Sequence, residues 1–490
     1  MGPKPFPKSI PSSELFLALV LAGLFYLWRQ PFHLFHEPPL PVAGLGAGLL
    51  ALVALLGQGP PWTAWAWWGF GLLTLLWSLA PGHTLVAALW EAWLLLALAA
   101  GRWRAGALLL LSLLLLEGLY TALALWQTGL VTYVSGSHHY LLGALALGVL
   151  PLFLARVARQ EYPLASFLLA ALALYAALIS GARAVYLPLA FLLPLLALRL
   201  SREGLGLPRA LLLLLALGGG AALLEALVPG NAVLHALAFK ANLTRAEAQG
   251  PSRLEEGEAP SVGNVEARLL MWRLALRLAL DHPLGTGNGS YSQVFEAYMD
   301  YPGVQGVWSR SPHNYLLETL ATGGFPRLAL LLLLLWPAVR AFWSRDWPWA
   351  LAAFGLLTPP LFDVSGHYPG YLAVAFLPLG ALGPSPAPRW VGLGGSLLAL
   401  ALFLYWYGPC QGAACLERRQ YFPTTVAQAL AQAAPEERVH LLQEAQRRYP
   451  LSPWPLVLAL RQEPDPKARL EVARELARRF PYAREGFYLA

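Results

Sequence analysis

Three stretches of this chain carry side chains suited to moving a proton beside a phosphate. SPHNYLLETLATGGFPRL, residues 311–328, sets His313 and Asn314 ahead of a Gly-Gly-Phe-Pro step and a leucine run. Histidine is the one side chain whose ordinary pKa lets it take and give protons near neutral pH. SGARAV, residues 180–185, puts Arg183 where the chain turns between two apolar runs, and EARLLMWRLALRLALDHP, residues 266–283, carries Arg268 and Trp272 one helical turn apart. A guanidinium presents a planar fork of donors that matches a phosphate and stays charged at any working pH. One base and two arginines are a set able to activate a hydroxyl and to stabilise a leaving phosphate. Each alone has a plainer reading: a capped polar residue at a helix start for His313, a headgroup anchor for Arg183, and a snorkelling side chain or a partner of Glu266 or Asp281 for Arg268.

The elements that must position these groups lie in a membrane. The 490 residues are 57% hydrophobic and 12% charged, with a mean hydropathy of +0.52, more apolar surface than a soluble core hides. Breaks at charges, Pro and Gly predict about thirteen spanning helices, near 12–28, 41–57, 63–79, 84–100, 106–127, 139–157, 164–180, 185–200, 209–228, 326–343, 347–363, 369–385 and 389–408. The first reads as an anchor, because Leu27-Trp28-Arg29 offers no small-residue cleavage site. The expected fold class is all-α: a polytopic bundle of 12–13 spans with a large outer loop and a small C-terminal helical-repeat domain.

Arg102 and Arg104, Arg156 and Arg159, Arg199 and Arg202, and Arg340 and Arg345 all fall on one side of this count, which assigns that side to the cytoplasm. The net charge of +7 is largely this bias, and it implies no nucleic-acid partner. The other side then receives Arg183, the loop 229–325, FDVSGHYPG (362–370) and the tail. Four blocks result: a bundle at 1–228, an extracytoplasmic loop at 229–325, further spans at 326–408 and an extracytoplasmic tail at 409–490.

Within the loop, the polar stretch 241–263 reads as mobile, and a helix is predicted over 265–281, lying on the membrane surface or over the bundle mouth. On it Arg268 shares a face with Trp272, Ala275 and Ala279, while Arg273 and Arg277 face away toward water or lipid phosphates. The tail repeats Arg-Arg-aromatic-Pro at 447–450 and 478–481, a period of 31 close to that of tetratricopeptide repeats. It reads equally as a docking platform or as a helical cap. Cys410 and Cys415 either pair in an oxidising compartment or stand as two small residues. Glu91 and Glu117 are ionisable groups at membrane depth, bonded inside the bundle or lining a cavity. The glycines of HPLGTGNGSY follow a helix, not a strand, so they predict a turn and no dinucleotide site. His138, His139, His313 and His367 match no metal-binding spacing.

In order, SGARAV, the Arg-x-x-x-Trp helix with Pro-x-Gly-x-Gly after it, and the His-Asn helix with its Gly-rich step resemble the signatures of the O-antigen ligase and O-antigen polymerase superfamily of bacterial envelope glycosyltransferases. Together they cover about residues 175–345. The resemblance implies glycan transfer from an undecaprenyl-diphosphate carrier to an acceptor hydroxyl, at the outer face of the inner membrane, without cofactor or metal. It implies His313 as base, Arg183 and Arg268 on the donor diphosphate, and Asn314 and Trp272 in support. Gly181-Ala182 separates Ser180 from Arg183 where many relatives have Ser directly before Arg, and Phe325-Pro326 replaces Ile-Gly. A thirteenth span and the repeat tail exceed the twelve-span form of lipopolysaccharide ligases, so a lipid, glycan or protein acceptor all stay open. A rival of another class is a lipid-linked glycan transporter, with its charges along an intramembrane path.

Overall fold

The computed structural model describes residues 12–30, 36–57, 59–127, 137–228, 264–300, 310–383 and 385–482, with short pieces at 33–34, 133–134, 231–234 and 236–237. The stretch 241–263 and the side chains of His138 and His139 lie outside the described residues. The protein is an all-α polytopic membrane bundle with one two-residue ladder, Tyr133–Val134 against Ser137–His138. Its helices are α1 Ser12–Trp28, α2 Leu40–Leu55, α3 Trp62–Leu73, α4 Pro81–Ala100, α5 Arg104–Gln127, α6 His139–Ala158, α7 Pro163–Ile179, α8 Arg183–Leu200, α9 Gly206–Leu227, α10 Asn264–Asp281, α11 Tyr315–Ala341, α12 Trp347–Leu357, α13 Pro369–Ala381 and α14 Arg389–Tyr407.

Each predicted apolar helix is present. The one predicted over 347–363 stops at Leu357, because Pro359 and Pro360 bring no N–H to continue the ladder, and the chain turns there instead. Among the described residues, six stretches are long and apolar enough to cross a membrane by length and composition, and one of them, Arg183–Leu227, holds both α8 and α9. Those two helices join through a turn in which Gly204 and Gly206 take left-handed φ values of 100° and 71°.

The pillar of the bundle is α4, buried along its whole length from Pro81 to Ala100. Small residues let its backbone touch that of α13. A Cβ on Gly380 would sit 2.2 Å from the Leu98 carbonyl oxygen, and one on Gly101 2.0 Å from that of Leu377. Close backbone approach of this kind is how helices associate where lipid removes the hydrophobic drive between them.

The two ends of the bundle differ in chemistry. At one end the basic loops interlock: Arg104 meets Asp346 at 2.7 Å, Arg159 meets Glu203 at 3.1 Å, and Arg199 donates to the Ser344 carbonyl at 2.8 Å. At the other end lie the starts of α4 and α11, the amphipathic α10, and the tail.

The tail comprises α15 Ala413–Arg418, α16 Pro423–Gln432, α17 Pro435–Arg448, α18 Trp454–Gln462 and α19 Pro466–Arg479. Both α16 to α18 and α17 to α19 are offset by 31 residues, and the equivalent aromatics Tyr449 and Phe480 are 0% and 1% exposed. Cys410 and Cys415 are disulfide-bonded, with their Cα atoms 5.2 Å apart. The tail docks where Phe422 meets the His83 ring at 4.6 Å and Ser452 reaches Gln293 at 3.3 Å.

Candidate functional site

The His-Asn segment is built by a helix start. Asn314 is the N-cap of α11, its side-chain oxygen accepting from the Leu317 N–H at 3.0 Å. His313, the residue before it, has φ +53°, a left-handed conformation rare for a side chain of its size, and its N–H donates to Ser311 Oγ at 3.0 Å. Backbone strain of this kind persists where the surroundings fix it and clusters at working sites. Burial first, then the charges of Arg268 and His367, push the His313 imidazole down to about 3. His313 is therefore uncharged across the neutral range.

Arg268 reaches this place from α10. The helix buries Met271, Leu274, Ala275, Leu278 and Ala279 against α11 and the turn at Tyr291–Phe295. As the sequence predicts, Arg273 and Arg277 point away. Arg273 pairs with Asp300 at 2.8 Å, and Arg277 lies over the Tyr298 ring at 5.6 Å. Trp272 packs its ring 6.5 Å from that of Phe362, tying α10 to the loop between α12 and α13.

That loop supplies two more groups, Asp363, which the sequence reading left out, and His367, which it weighed only as a metal ligand. Asp363 is 5% exposed, and one carboxylate oxygen accepts from the Ser365 N–H at 2.7 Å. Burial raises its pKa to about 6, against the lowering pull of the Ser365 hydrogen bonds and of Arg268. His367 lies 2.6 Å from Glu318, one turn into α11 beyond the cap. Asp363 and Glu318 had a local signal: Asp-x-Ser is an Asx turn, and Glu318 stands five residues after His313, four after the cap of α11. The meeting of Glu318 with His367, 49 residues further along the chain, had none.

The structure thus brings His313 within electrostatic reach of Arg268 and His367, and Asp363 within reach of Arg268, with Trp272 on the same helix as Arg268. Arg183 is half-buried at the first residue of α8, and α8 packs against the Pro359–Leu361 turn that leads into Asp363. Asn314 is tied to the cap.

The Gly-rich motif has a structural task. At Gly324 (φ 71°, ψ −177°) α11 breaks, freeing the Ala321 and Thr322 carbonyls. Thr286 N–H donates to Ala321 at 3.1 Å and Gly287 N–H to Thr322 at 2.9 Å, while Phe325 N–H donates to Pro283 at 3.0 Å. The loop after α10 thereby satisfies the helix break, which the bilayer would not. Beneath it, Arg327 pairs with Glu91 at 2.5 Å, hydrogen-bonds Asn288, and lies 4.4 Å from the centre of the Trp67 ring.

Residues 167–332 match the family model described as O-Antigen ligase. No curated protein sequence matches the chain. The matched stretch runs from α7 into α11, and so takes in Arg183, Arg268, the glycine loop and His313 in one unit. That match supports membership of the O-antigen ligase and polymerase superfamily.

Proposed function

We propose that the protein is a glycosyltransferase moving a glycan from an undecaprenyl-diphosphate carrier to an acceptor hydroxyl at the outer face of the bacterial inner membrane. The observation that carries this reading is an uncharged His313, held in a left-handed conformation, beside the Arg268 guanidinium. In the proposed step the acceptor oxygen attacks the anomeric carbon of the donor sugar, and its proton passes to the His313 imidazole. The carbon–oxygen bond to the carrier breaks, and the electron pair leaves on the diphosphate. Arg268 and Arg183 stabilise that charge as it develops. An uncharged imidazole is ready to accept a proton but weakly basic. The arriving diphosphate offsets the Arg268 charge and raises the basicity of His313 while donor is bound. Asp363 opposes the Arg268 charge from the other loop.

The interlocked basic loops favour a cytoplasmic position for their end, which places the site and the tail outside. Acceptors of three classes suit this site: a lipid-anchored core sugar, a growing glycan, and a protein hydroxyl. The transporter reading needs ionisable groups along an intramembrane path. Glu91 instead spends its charge on Arg327, and Glu117 lies 3.7 Å from Arg29, whose side chain is half-exposed.

The test is transfer by purified protein in vesicles from a lipid-linked donor, reading free carrier diphosphate against glycosylated acceptor. Equal release of both is expected, with loss of both in His313→Ala. A folded His313→Ala variant with full transfer would remove the base, and movement of donor across the vesicle without bond cleavage would favour transport.

A further inference from the structure

The basic end of the bundle holds more positive charge than its ion pairs use. Glu203 accepts from Arg159 at 3.1 Å and from the Trp347 indole N–H at 2.7 Å, Asp346 pairs with Arg104 at 2.7 Å, and Glu161 with Arg156 at 3.2 Å. Arg202, Arg340 and Arg345 are exposed, and none of them forms an ion pair among the described residues. The three gather around one side chain. Arg202, in the turn between α8 and α9, lies over the Trp343 ring, its guanidinium carbon 5.0 Å from the ring centre. Arg340 stands one helical turn before Trp343, whose N–H donates to the Arg340 carbonyl at 3.4 Å, and Arg345 follows two residues after it.

Beneath this group Arg199, a buried side chain, holds the platform in place. It donates to the Ser344 carbonyl at 2.8 Å and lies 5.7 Å and 5.8 Å from the centres of the Phe342 and Trp347 rings. Arg199 and Arg202 are within electrostatic reach of each other, a repulsion that an anion over Arg202 offsets. The rim of the patch is apolar and opens sideways. Trp336, Val339 and Trp343 are 55%, 57% and 62% exposed, and Leu207 beyond the turn is 53% exposed. A free anion makes no use of such a rim. A phospholipid does, because aromatic rings settle at headgroup level and acyl chains lie along an aliphatic wall.

We propose that Arg202, Arg340 and Arg345, arranged around Trp343, bind the phosphate headgroup of an anionic phospholipid whose acyl chains lie against the exposed side of α11. The planar guanidinium forks match the phosphate oxygens. The lipid ties the end of α8 to the end of α11; at their other ends α8 begins at Arg183 and α11 follows His313. Arginines that served only to orient the chain would all count alike toward lipid. Arg389 provides that comparison: it is exposed beside Trp390, itself 76% exposed, but opens α14, which packs on α2, α3 and α4.

The experiment offers the full chain in detergent dioleoylphosphatidylglycerol, dioleoylphosphatidylcholine or inorganic phosphate. Bound lipid is read by native mass spectrometry, and the thermal midpoint is followed alongside. Phosphatidylglycerol is expected to be retained about tenfold over phosphatidylcholine and to raise the midpoint where the other two do not. Arg202→Gln should retain phosphatidylglycerol about fivefold less well and Arg202→Gln/Arg340→Gln about twenty-fivefold less, the effect of roughly one exposed cation each at an anionic surface. Arg389→Gln should retain it as wild type does. Where the double variant does not fold, the single substitutions at these exposed positions are compared with Arg389→Gln. Equal retention of the two lipids, or an equal loss in Arg389→Gln, overturns the site. A midpoint raised as far by inorganic phosphate as by phosphatidylglycerol overturns the lipid as its occupant. Neither readout involves glycan transfer, so the site is judged separately from the proposed reaction.

Discussion

Arg327 and Glu91, 236 residues apart in sequence, form a buried ion pair at 2.5 Å, with side chains 3% and 7% exposed. Asn288 closes the set: its amide donates to Glu91 at 2.9 Å, and its own N–H donates to Thr74 Oγ at 2.9 Å. The trio fastens the glycine loop, the pillar α4 and the lower half of α11 to one another. It therefore fixes the break at Gly324, from which the upper half of α11 carries His313.

Removing one partner of such a pair strands the other charge, at a cost of about 3–5 kcal/mol, whereas an apolar pair of similar volume is often neutral. Glu91→Gln and Arg327→Met are each expected to lower the thermal midpoint in detergent sharply. The double variant Glu91→Leu/Arg327→Met is expected to recover most of the loss. Additive losses in the double variant would mean the two side chains do not act as a pair.

The elements themselves were legible, since apolar runs bounded by charges and Pro mark helices whatever their tertiary partners. His313, Arg183 and Arg268 were legible through short spacings within single helices. Arg327 was not, although it lies in the quoted stretch, because its partners Glu91 and Asn288 are distant in the chain and only folding joins them. Asp363 was hidden for the same reason, and Glu91 was readable only as an ionisable group at membrane depth. Local spacing reveals the groups on one helix, and the fold alone reveals the counter-charge.

The glycine loop leads to a second expectation. A Cβ at Gly324 would lie 2.4 Å from the Pro283 carbonyl oxygen, and the φ/ψ there is essentially confined to glycine, so Gly324→Ala costs at least ~1–3 kcal/mol of backbone strain. Transfer should fall by more than stability alone explains, because His313 moves with the upper half of α11. Gly218, mid-helix with nothing within 4 Å, is the control, and Gly218→Ala should gain ~0.5–1 kcal/mol. Similar effects of the two substitutions on transfer would deny the break any special role.

The pH dependence follows from two groups with opposite signs. His313 falls from 6.5 to about 3 on folding, so its contribution to stability is complete above 6.5 and is lost as pH drops toward 3. Asp363 rises from 3.8 to about 6, so its contribution is complete below 3.8 and is lost as pH rises through 6. An inflection near pH 6 in kcat/KM is thus expected to belong to Asp363, not to His313. Profiles of wild type and Asp363→Asn decide it: the inflection should vanish in the variant, and its persistence would reassign it.

The tail offers a last test, because one glycine separates its docking from the fold of the bundle. Gly82, at the start of α4, approaches the tail so closely that a Cβ would lie 2.6 Å from the Tyr449 hydroxyl and 2.9 Å from the Arg419 carbonyl. Gly82→Val should push the tail off the His83–Phe422 contact while leaving the buried length of α4 intact. Limited proteolysis should then cut sooner near Arg418 and Arg419, with the thermal midpoint of the bundle little changed. The tail also supports α10, the helix that holds Arg268, since Leu451 packs against the apolar cluster to which Met271 and Leu274 belong. Undocking should loosen α10 and raise the KM for donor more than it lowers kcat. Faster proteolysis with unaltered kinetics would confine the tail to partner binding, and unaltered proteolysis would show that the contact at Gly82 does not hold it.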